Sequence, residues 1–377
     1  MRLNEIARES KSTFKGDKTD LPIVGLEHLI PGELTLTEYD VNTKNTFTKF
    51  FRKGQVLFGR RRAYLKKASL AEFDGVCSGD IIVIEPIEGK VYPDLLPFII
   101  QNDRFFAYAV SKSAGGLSPR VKWQDIADYE LSLPSLSAQR ELSKKLWAAY
   151  RLKESYKKLL LATRDMVKSQ FIEMFGNPLS SQQKYPLKKL GECCEINPKR
   201  PILNIGDDDM VSFVPMQSVS EEGFLCENIE KPYSKVKKGF TYFKDGDVLF
   251  AKITPCMENG KGAIAENLTN GIGMGSTEFH VLRPIPGKST SQWILALTRM
   301  PNFRAKAARF MSGTGGQKRV GTPYLENFKI GLPPIDRQKQ FAEIYIQADK
   351  SEFDGLKLEY ELELLIEGNK FSDKEFD

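Results

Sequence analysis

Five phrases in this chain occur twice and in the same order, and such a repeat predicts two copies of one folding unit before any local reading begins. Leu3-Asn4-Glu5 is answered by Leu190-Gly191-Glu192, and VGLEHL from Val24 by VPMQSV from Val214. FRKGQVLFGR from Phe51 returns as FKDGDVLFAK from Phe243. Gly115-Gly116 ahead of Arg120-Val121 returns as Gly315-Gly316 ahead of Arg319-Val320. Finally, LSLPSLSAQREL from Leu131 returns as IGLPPIDRQKQF from Ile330. The offset between copies drifts only from 187 to 200 residues, so the order carries the argument where single phrases would be weak. A length of 377 residues leaves room for two to three domains at roughly 150 residues each.

Each copy reads as a globular part followed by a long helix. Residues 1–134 and 179–333 hold short β-branched runs bounded by Gly, Pro, Asn and Asp, such as Asp80–Ile84 and Asp247–Phe250. Helical patches at Asp94–Asn102 and Trp293–Phe310 intervene, so the class expected is α+β, or mixed α/β, not a doubly wound parallel sheet. In the segment 135–178, Ser137 to Phe175 contains no Gly or Pro. Leu142, Leu146, Ala149, Tyr156, Leu160, Val167 and Met174 make a near-heptad seam there, which Gly176-Asn177-Pro178 ends. The segment 334–377 repeats the plan from Asp336 to Glu367, with Phe341, Tyr345 and Ala348, then Phe353, Leu356, Tyr360 and Leu364, on a stripe that slips near Gly355. Two helices with apolar seams are expected to pack on each other, the alternative being that each packs on its own unit.

Catalytic chemistry is hard to find. His28 and His280 do not repeat, and no Cys/His spacing suits zinc. Cys193-Cys194 reads as a strand pair with one side buried. Gly287-Lys288-Ser289-Thr290 lacks the first glycine of a phosphate loop, because Leu282 stands there. Gly271-Ile272-Gly273-Met274-Gly275 reads as a turn, and Asp207-Asp208-Asp209 as a solvated loop. Asp80 with Glu88-Gly89-Lys90 only loosely mimics a nuclease set. No catalytic residue and no metal site is assigned. Five cysteines without a C-x-x-C pair, no apolar leader and no 20-residue apolar window point to a cytoplasmic protein without a membrane partner.

Basic residues, by contrast, cluster at corresponding places. Arg60, Arg61 and Arg62 follow the strand-like Val56-Leu57-Phe58, with Lys66 and Lys67 beyond; Lys252 follows Val248-Leu249-Phe250, with Lys261 beyond. Ser113, Arg120 and Lys122 flank Gly115-Gly116, and Gln317, Lys318 and Arg319 follow Gly315-Gly316. Such side chains neutralise phosphates and fork onto base edges, and glycines allow a backbone to approach a groove. Net charge is a mild +6, yet residues 349–377 hold 4 Lys and 10 acidic side chains, which leaves +12 on the other 348 residues. Double-stranded DNA is therefore the expected partner.

GQVLFGR and GDVLFAK, the two glycine loops, and the LPSLSAQREL and LPPIDRQKQF helix starts together resemble the DNA-specificity subunit of type I restriction–modification systems. The resemblance runs nearly the whole chain, the one departure being LPSLSAQ where LPP is typical. It implies two target-recognition domains, 1–134 and 179–333, each reading half of a bipartite DNA sequence. It also implies a pseudo-twofold repeat in which two long antiparallel helices join the domains and dock DNA methyltransferase subunits, with restriction subunits as further partners. On this reading the chain binds no cofactor; S-adenosylmethionine, ATP and magnesium belong to partner subunits. A standalone nuclease or methyltransferase, or a coiled-coil protein-binding scaffold, are the alternatives.

Overall fold

The computed structural model describes residues 1–180, 184–227, 229–314 and 316–367, and in the last helix it describes side chains up to residue 350 and at 361–362. Two compact units emerge, Met1–Lys158 with the stretch from Gly355 onward, and Leu159–Asp354. The division falls within the two long helices, not at their ends.

The first unit opens with α1 (Leu3–Ile6) running into β1 (Ala7–Glu9). Strands β2 (Ile23–Val24), β3 (Lys49–Phe51), β4 (Val56–Gly59), β5 (Ala68–Leu70), β6 (Gly75–Cys77) and β7 (Ile81–Pro86) follow. Then come α2 (Leu96–Gln101), α3 (Asp103–Ser111), α4 (Trp123–Ile126) and the 40-residue α5 (Leu136–Phe175), about 60 Å of helix at 1.5 Å per residue. The strands form two sheets, ordered β1-β7-β4-β5 and β2-β6-β3. Every residue of β4 is buried because its faces serve different cores. Val56 and Phe58, with Ile82 and Ile84 of β7, face α2, α3 and Leu146 and Tyr150 of α5. Leu57, Ile81 and Val83 face Val24, Phe51 and Cys77 of the second sheet. A strand covered on both faces reads as a continuous apolar run, which is how VLF and IIVI stand in the sequence.

The second unit contains β8 (Leu187–Lys189), β9 (Cys194–Ile196), β10 (Met210–Val214), β11 (Ile229–Pro232), α6 (Tyr233–Val236), β12 (Thr241–Lys244) and β13 (Val248–Ala251). After these come α7 (Cys256–Asn259), β14 (Gly262–Ile264), β15 (Ile272–Gly275), β16 (Phe279–Pro284), α8 (Ser291–Arg299), α9 (Pro301–Ala308), α10 (Thr322–Glu326), β17 (Lys329–Gly331) and α11 (Ile335–Glu367). Its main sheet runs β9-β16-β13-β14, the same order as β1-β7-β4-β5. The register repeats as well. Val56, Leu57, Phe58 and Gly59 pair with Ile84, Val83, Ile82 and Ile81; Val248, Leu249, Phe250 and Ala251 pair with Leu282, Val281, His280 and Phe279. The second sheet keeps one parallel and one antiparallel pairing in each unit, β2-β6-β3 and β10-β15-β12, and the second unit adds β11 on the outside.

Three sequence expectations change here. Gly271–Gly275 is not a turn: Ile272–Gly275 is β15, and only Gly271 keeps a left-handed φ of +66°. A Cβ on Gly273 would lie 2.0 Å from the Phe243 ring, and one on Gly75 of β6 would lie 2.7 Å from the Phe51 ring. Each glycine thus lets the repeated phenylalanine lie flat on its strand. Cys193 and Cys194 are both fully buried, not one-sided, and burial pushes the Cys193 thiol up to about 11. The first helical patch also extends past Asn102, whose side chain caps α3 by accepting from the Arg104 N–H.

The repeated Leu-Pro-x-x-x-x-Gln has a packing reason. Gln139 Oε1 accepts from Tyr92 N at 2.9 Å while its amide donates to Pro134 O at 2.9 Å. Gln338 Oε1 accepts from Thr290 N at 3.1 Å while its amide donates to Pro333 O and Lys288 O at 2.9 and 3.0 Å. Both amides are buried, so each long helix is hooked at its start to the loop before the unit's preceding helices. In the second unit Phe341 of α11 meets Phe171 and Phe175 of α5 at ring distances of 5.3 and 5.6 Å, late residues of one helix against early residues of the other, as an antiparallel pair requires. These rings also belong to the unit's core. The helices therefore pack both on each other and on the globular fold. Helix α11 continues through Gly355; Phe353, Leu356, Tyr360 and Leu364 lie outside the described side chains.

Candidate nucleic-acid interface

In the first unit, the basic run after β4 and the glycine loop meet. Arg60 N donates to Asp80 O at 2.9 Å, and Arg60 O accepts from Val121 N at 3.0 Å. The loop closes on itself by the paired bonds Ala114 N to Arg120 O and Arg120 N to Ala114 O, both 2.9 Å. Arg120 Nε and Nη2 donate to the two Asp80 carboxylate oxygens at 2.7 and 3.2 Å. Arg61 Nη1 adds a 3.7 Å ion pair to the same carboxylate.

The second unit repeats this arrangement. Lys252 N donates to Glu278 O at 2.9 Å, and Lys252 O accepts from Val320 N at 3.0 Å. Ser312 and Arg319 exchange backbone bonds of 3.0 and 2.8 Å. Arg319 Nε and Nη2 donate to the Glu278 carboxylate at 2.9 and 2.8 Å. The hydrogen-bonded guanidinium holds each carboxyl below its ordinary range, Arg120 for Asp80 and Arg319 for Glu278, so both clamps are ionised at neutral pH.

Asp80 and Glu278 are the partners that sequence reasoning missed, and a sixth repeated phrase marks them. Ser78-Gly79-Asp80 and Ser276-Thr277-Glu278 each form a turn in which the serine Oγ accepts from the acidic residue's N–H at 3.2 Å. The carboxylate is thereby set at the start of β7 or β16.

The expected contact residues divide into two groups. Arg60, Arg61, Arg62, Lys66, Lys67, Ser113, Arg120, Lys261 and Arg319 have intramolecular partners. Arg61 Nε donates to Ser118 Oγ at 2.6 Å, Lys66 pairs with Asp103 at 2.5 Å, and Lys67 Nζ donates to Leu26 O at 2.6 Å. Arg60 Nε donates to Val121 O at 3.1 Å, Lys261 Nζ to Met216 O at 3.4 Å, and Ser113 Oγ to Ala109 O at 2.9 Å. Lys122, Gln317 and Lys318 present exposed side chains. Gly115 and Gly116 shape the first loop, Gly115 at a φ of +117° that other residues rarely adopt. Gly316 has a φ of +76°, and Gly315 lies outside the described residues.

Beside the clamps the units differ. Where Phe106 stacks on Phe58 at 5.7 Å, the second unit has Arg304, 5.7 Å over Phe250. Arg304 is buried and donates to Met257 O and, at 2.7 Å, to Gly260 O. It therefore takes carbonyls at the end of α7, a four-residue α-helix where the first unit has only the 3-10 turn Ala63–Leu65.

The remaining suspects have structural roles. Thr290 caps α8, and Ser289 donates to Cys193 O. Asp207 pairs with Lys237 at 2.8 Å. Buried His280 is held between Asn197 and Val320 O. Among the described residues no group of three His, Cys, Asp or Glu is placed to hold a metal, and no helix is long and apolar enough to cross a membrane.

Residues 183–363 match the family model for the type I restriction modification DNA specificity domain. The chain is similar to the EcoEI and EcoAI type I restriction enzyme specificity subunits of Escherichia coli, 42% identical over 151 residues and 41% over 153, or 40% of this chain in each case. The matched stretches span only about a quarter of those relatives' length, 25% and 26%. Among solved structures, the S subunit of a type I restriction-modification system from M. genitalium superposes with a TM-score of 0.62 at 10% identity, covering 100% of this chain and 96% of that one. A chain from work on complex assembly and conformational transition of the type I R-M system gives 0.51 at 17% identity, covering 98% and 95%. At these identities the two structures share the fold.

Proposed function

We propose, for a chain whose residues 183–363 match the type I restriction modification DNA specificity domain, that it is the non-catalytic reader of a bipartite double-stranded DNA target. The globular part of each unit reads one half. The long helices dock DNA methyltransferase subunits, and restriction subunits complete the assembly. S-adenosylmethionine, ATP and magnesium are the cofactors of those partners, and the methyltransferase extrudes the base it modifies.

The observation that carries this reading is the doubled clamp. Asp80–Arg120 and Glu278–Arg319 join the turn before β7 or β16 to the glycine loop, and the same backbone bonds tie in the loop after the central strand, while the loop residues themselves differ. A fixed frame with variable tips is what two readers of two different sequences require. Lys122, Lys252, Gln317 and Lys318 would contact phosphate and base edges, Ser113 and the glycines would let the backbone come close, and Arg60, Arg61, Arg62, Lys66, Lys67, Arg120, Lys261 and Arg319 would contact the duplex from positions their partners fix.

Exchange of residues 1–134 for those of a relative with another target tests the reading. Mapping the recognised sequence should show one half altered and the other unchanged. A change in both halves would overturn the two-reader arrangement.

A further inference from the structure

Two of the three consecutive arginines build a loop whose tip is apolar. Arg62, in the left-handed region at φ +55°, donates its N–H to Pro119 O at 2.8 Å and a guanidinium N–H to Leu117 O at 3.5 Å. Arg61 Nε donates to Ser118 Oγ, and its backbone bridges to Arg120, which the Asp80 carboxylate holds. The segment 115–119 is thus fastened at Leu117, Ser118 and Pro119, and by Arg120 just beyond it, through backbone or polar atoms. The one large side chain it carries, Leu117, is 98% exposed. A leucine so fully in water contributes nothing to the unit's core, and the groups that hold its backbone aim it outward beside a cationic surface. At the corresponding tip of the second unit stand Gln317 and Lys318, both polar and exposed.

We infer that Leu117 is a specificity-determining residue of the first unit, making apolar contact with the 5-methyl group of a thymine in the major groove. The inference rests on the DNA-reading function proposed above. Of the base edges in that groove, thymine alone presents a methyl, and an aliphatic side chain is its natural complement. The tip of the second unit offers hydrogen-bonding groups instead, so the two loops would select by different chemistry from equivalent frames. Arg61 and Arg62 are then positioning residues for Leu117.

The test uses the full chain and its target duplex, mapped by selection from random sequences. Each thymine is replaced in turn by uracil, which lacks only the methyl. Binding by the wild type should weaken about fourfold at one thymine in one half, the value expected for one buried methyl-sized group. Leu117→Ala should bind the thymine and uracil duplexes alike, while thymines in the other half behave as in the wild type. Leu117→Met should keep the discrimination, and the melting temperature of both variants should match the wild type because no buried contact is lost. A target half without an A·T pair, uracil duplexes that all bind as tightly as thymine duplexes, or discrimination that survives Leu117→Ala would each overturn the inference. Failure to select any target, or an unchanged target after exchange of residues 1–134, would instead remove the DNA-reading function, and the inference with it.

Discussion

A single register position separates the two units in their response to acid. His280 pairs across from Phe250, where the first unit has Ile82 across from Phe58. Burial pushes the imidazole's pKa below 6.5, against the opposing effect of its bond to Val320 O. The folded form therefore binds fewer protons than the unfolded form between that lowered value and 6.5, and stability falls as pH drops through this window. Melting followed from pH 7.5 to 5.5 should show the second unit weakening, and His280→Ile should remove its part of the slope. An identical slope in the variant would refute the assignment. The carboxylate clamps behave differently, because Asp80 and Glu278 titrate below their ordinary range: their contribution is complete above about pH 5 and is lost as pH falls from there through the depressed values.

At the level of elements, the glutamine hooks give the clearest energetic claim. Gln338 is fully buried and its amide serves three backbone groups at the start of α11 and the loop before α8. Gln338→Leu keeps the volume and leaves those groups unpaired, which should cost about 2–3 kcal/mol in denaturant unfolding of the second unit. A loss below about 0.5 kcal/mol would show the hook to be dispensable. This hook was legible in the sequence as a repeated Gln, as were β4 and β13 in the repeated VLF and the long α5 in its uninterrupted seam. The carboxylates were not. Asp80 is 40 residues from Arg120, and Glu278 is 41 from Arg319, so no local pattern joins them until the sheet brings β7 and β16 beside the glycine loops. Gly271–Gly275 misled for a related reason: its glycines exist to admit the Phe243 ring, a contact made across the sheet and invisible along the chain.

Over the whole molecule, charge is the property most open to measurement. The +12 carried by residues 1–348 is set against −6 in the final 29, and the basic part contains every proposed contact. Neutralising even four phosphates would lower affinity more than about a hundredfold between 50 and 200 mM salt, with log affinity falling linearly in log salt. Titration of a duplex at several salt concentrations measures the slope, and a flat response would exclude phosphate contacts as the source of binding. The repeat also limits what may be exchanged. Buried Asp247 and half-buried Arg283 pair at 2.7 Å where the first unit has Gln55 and Glu85, so half of either pair transplanted alone would strand a charge or an amide.

The fastening of segment 115–119 has a consequence for how such a chain acquires new behaviour. Its closure depends on residues outside the tip, Arg61, Arg62, Asp80 and Arg120, and a Cβ placed on Gly116 would meet no atom within 4 Å. The tip is therefore free to mutate with little penalty from the fold. A lineage can explore alternative recognition there by ordinary point mutation, and a library randomised at 116 and 117 should remain largely soluble while its members diverge in what they select.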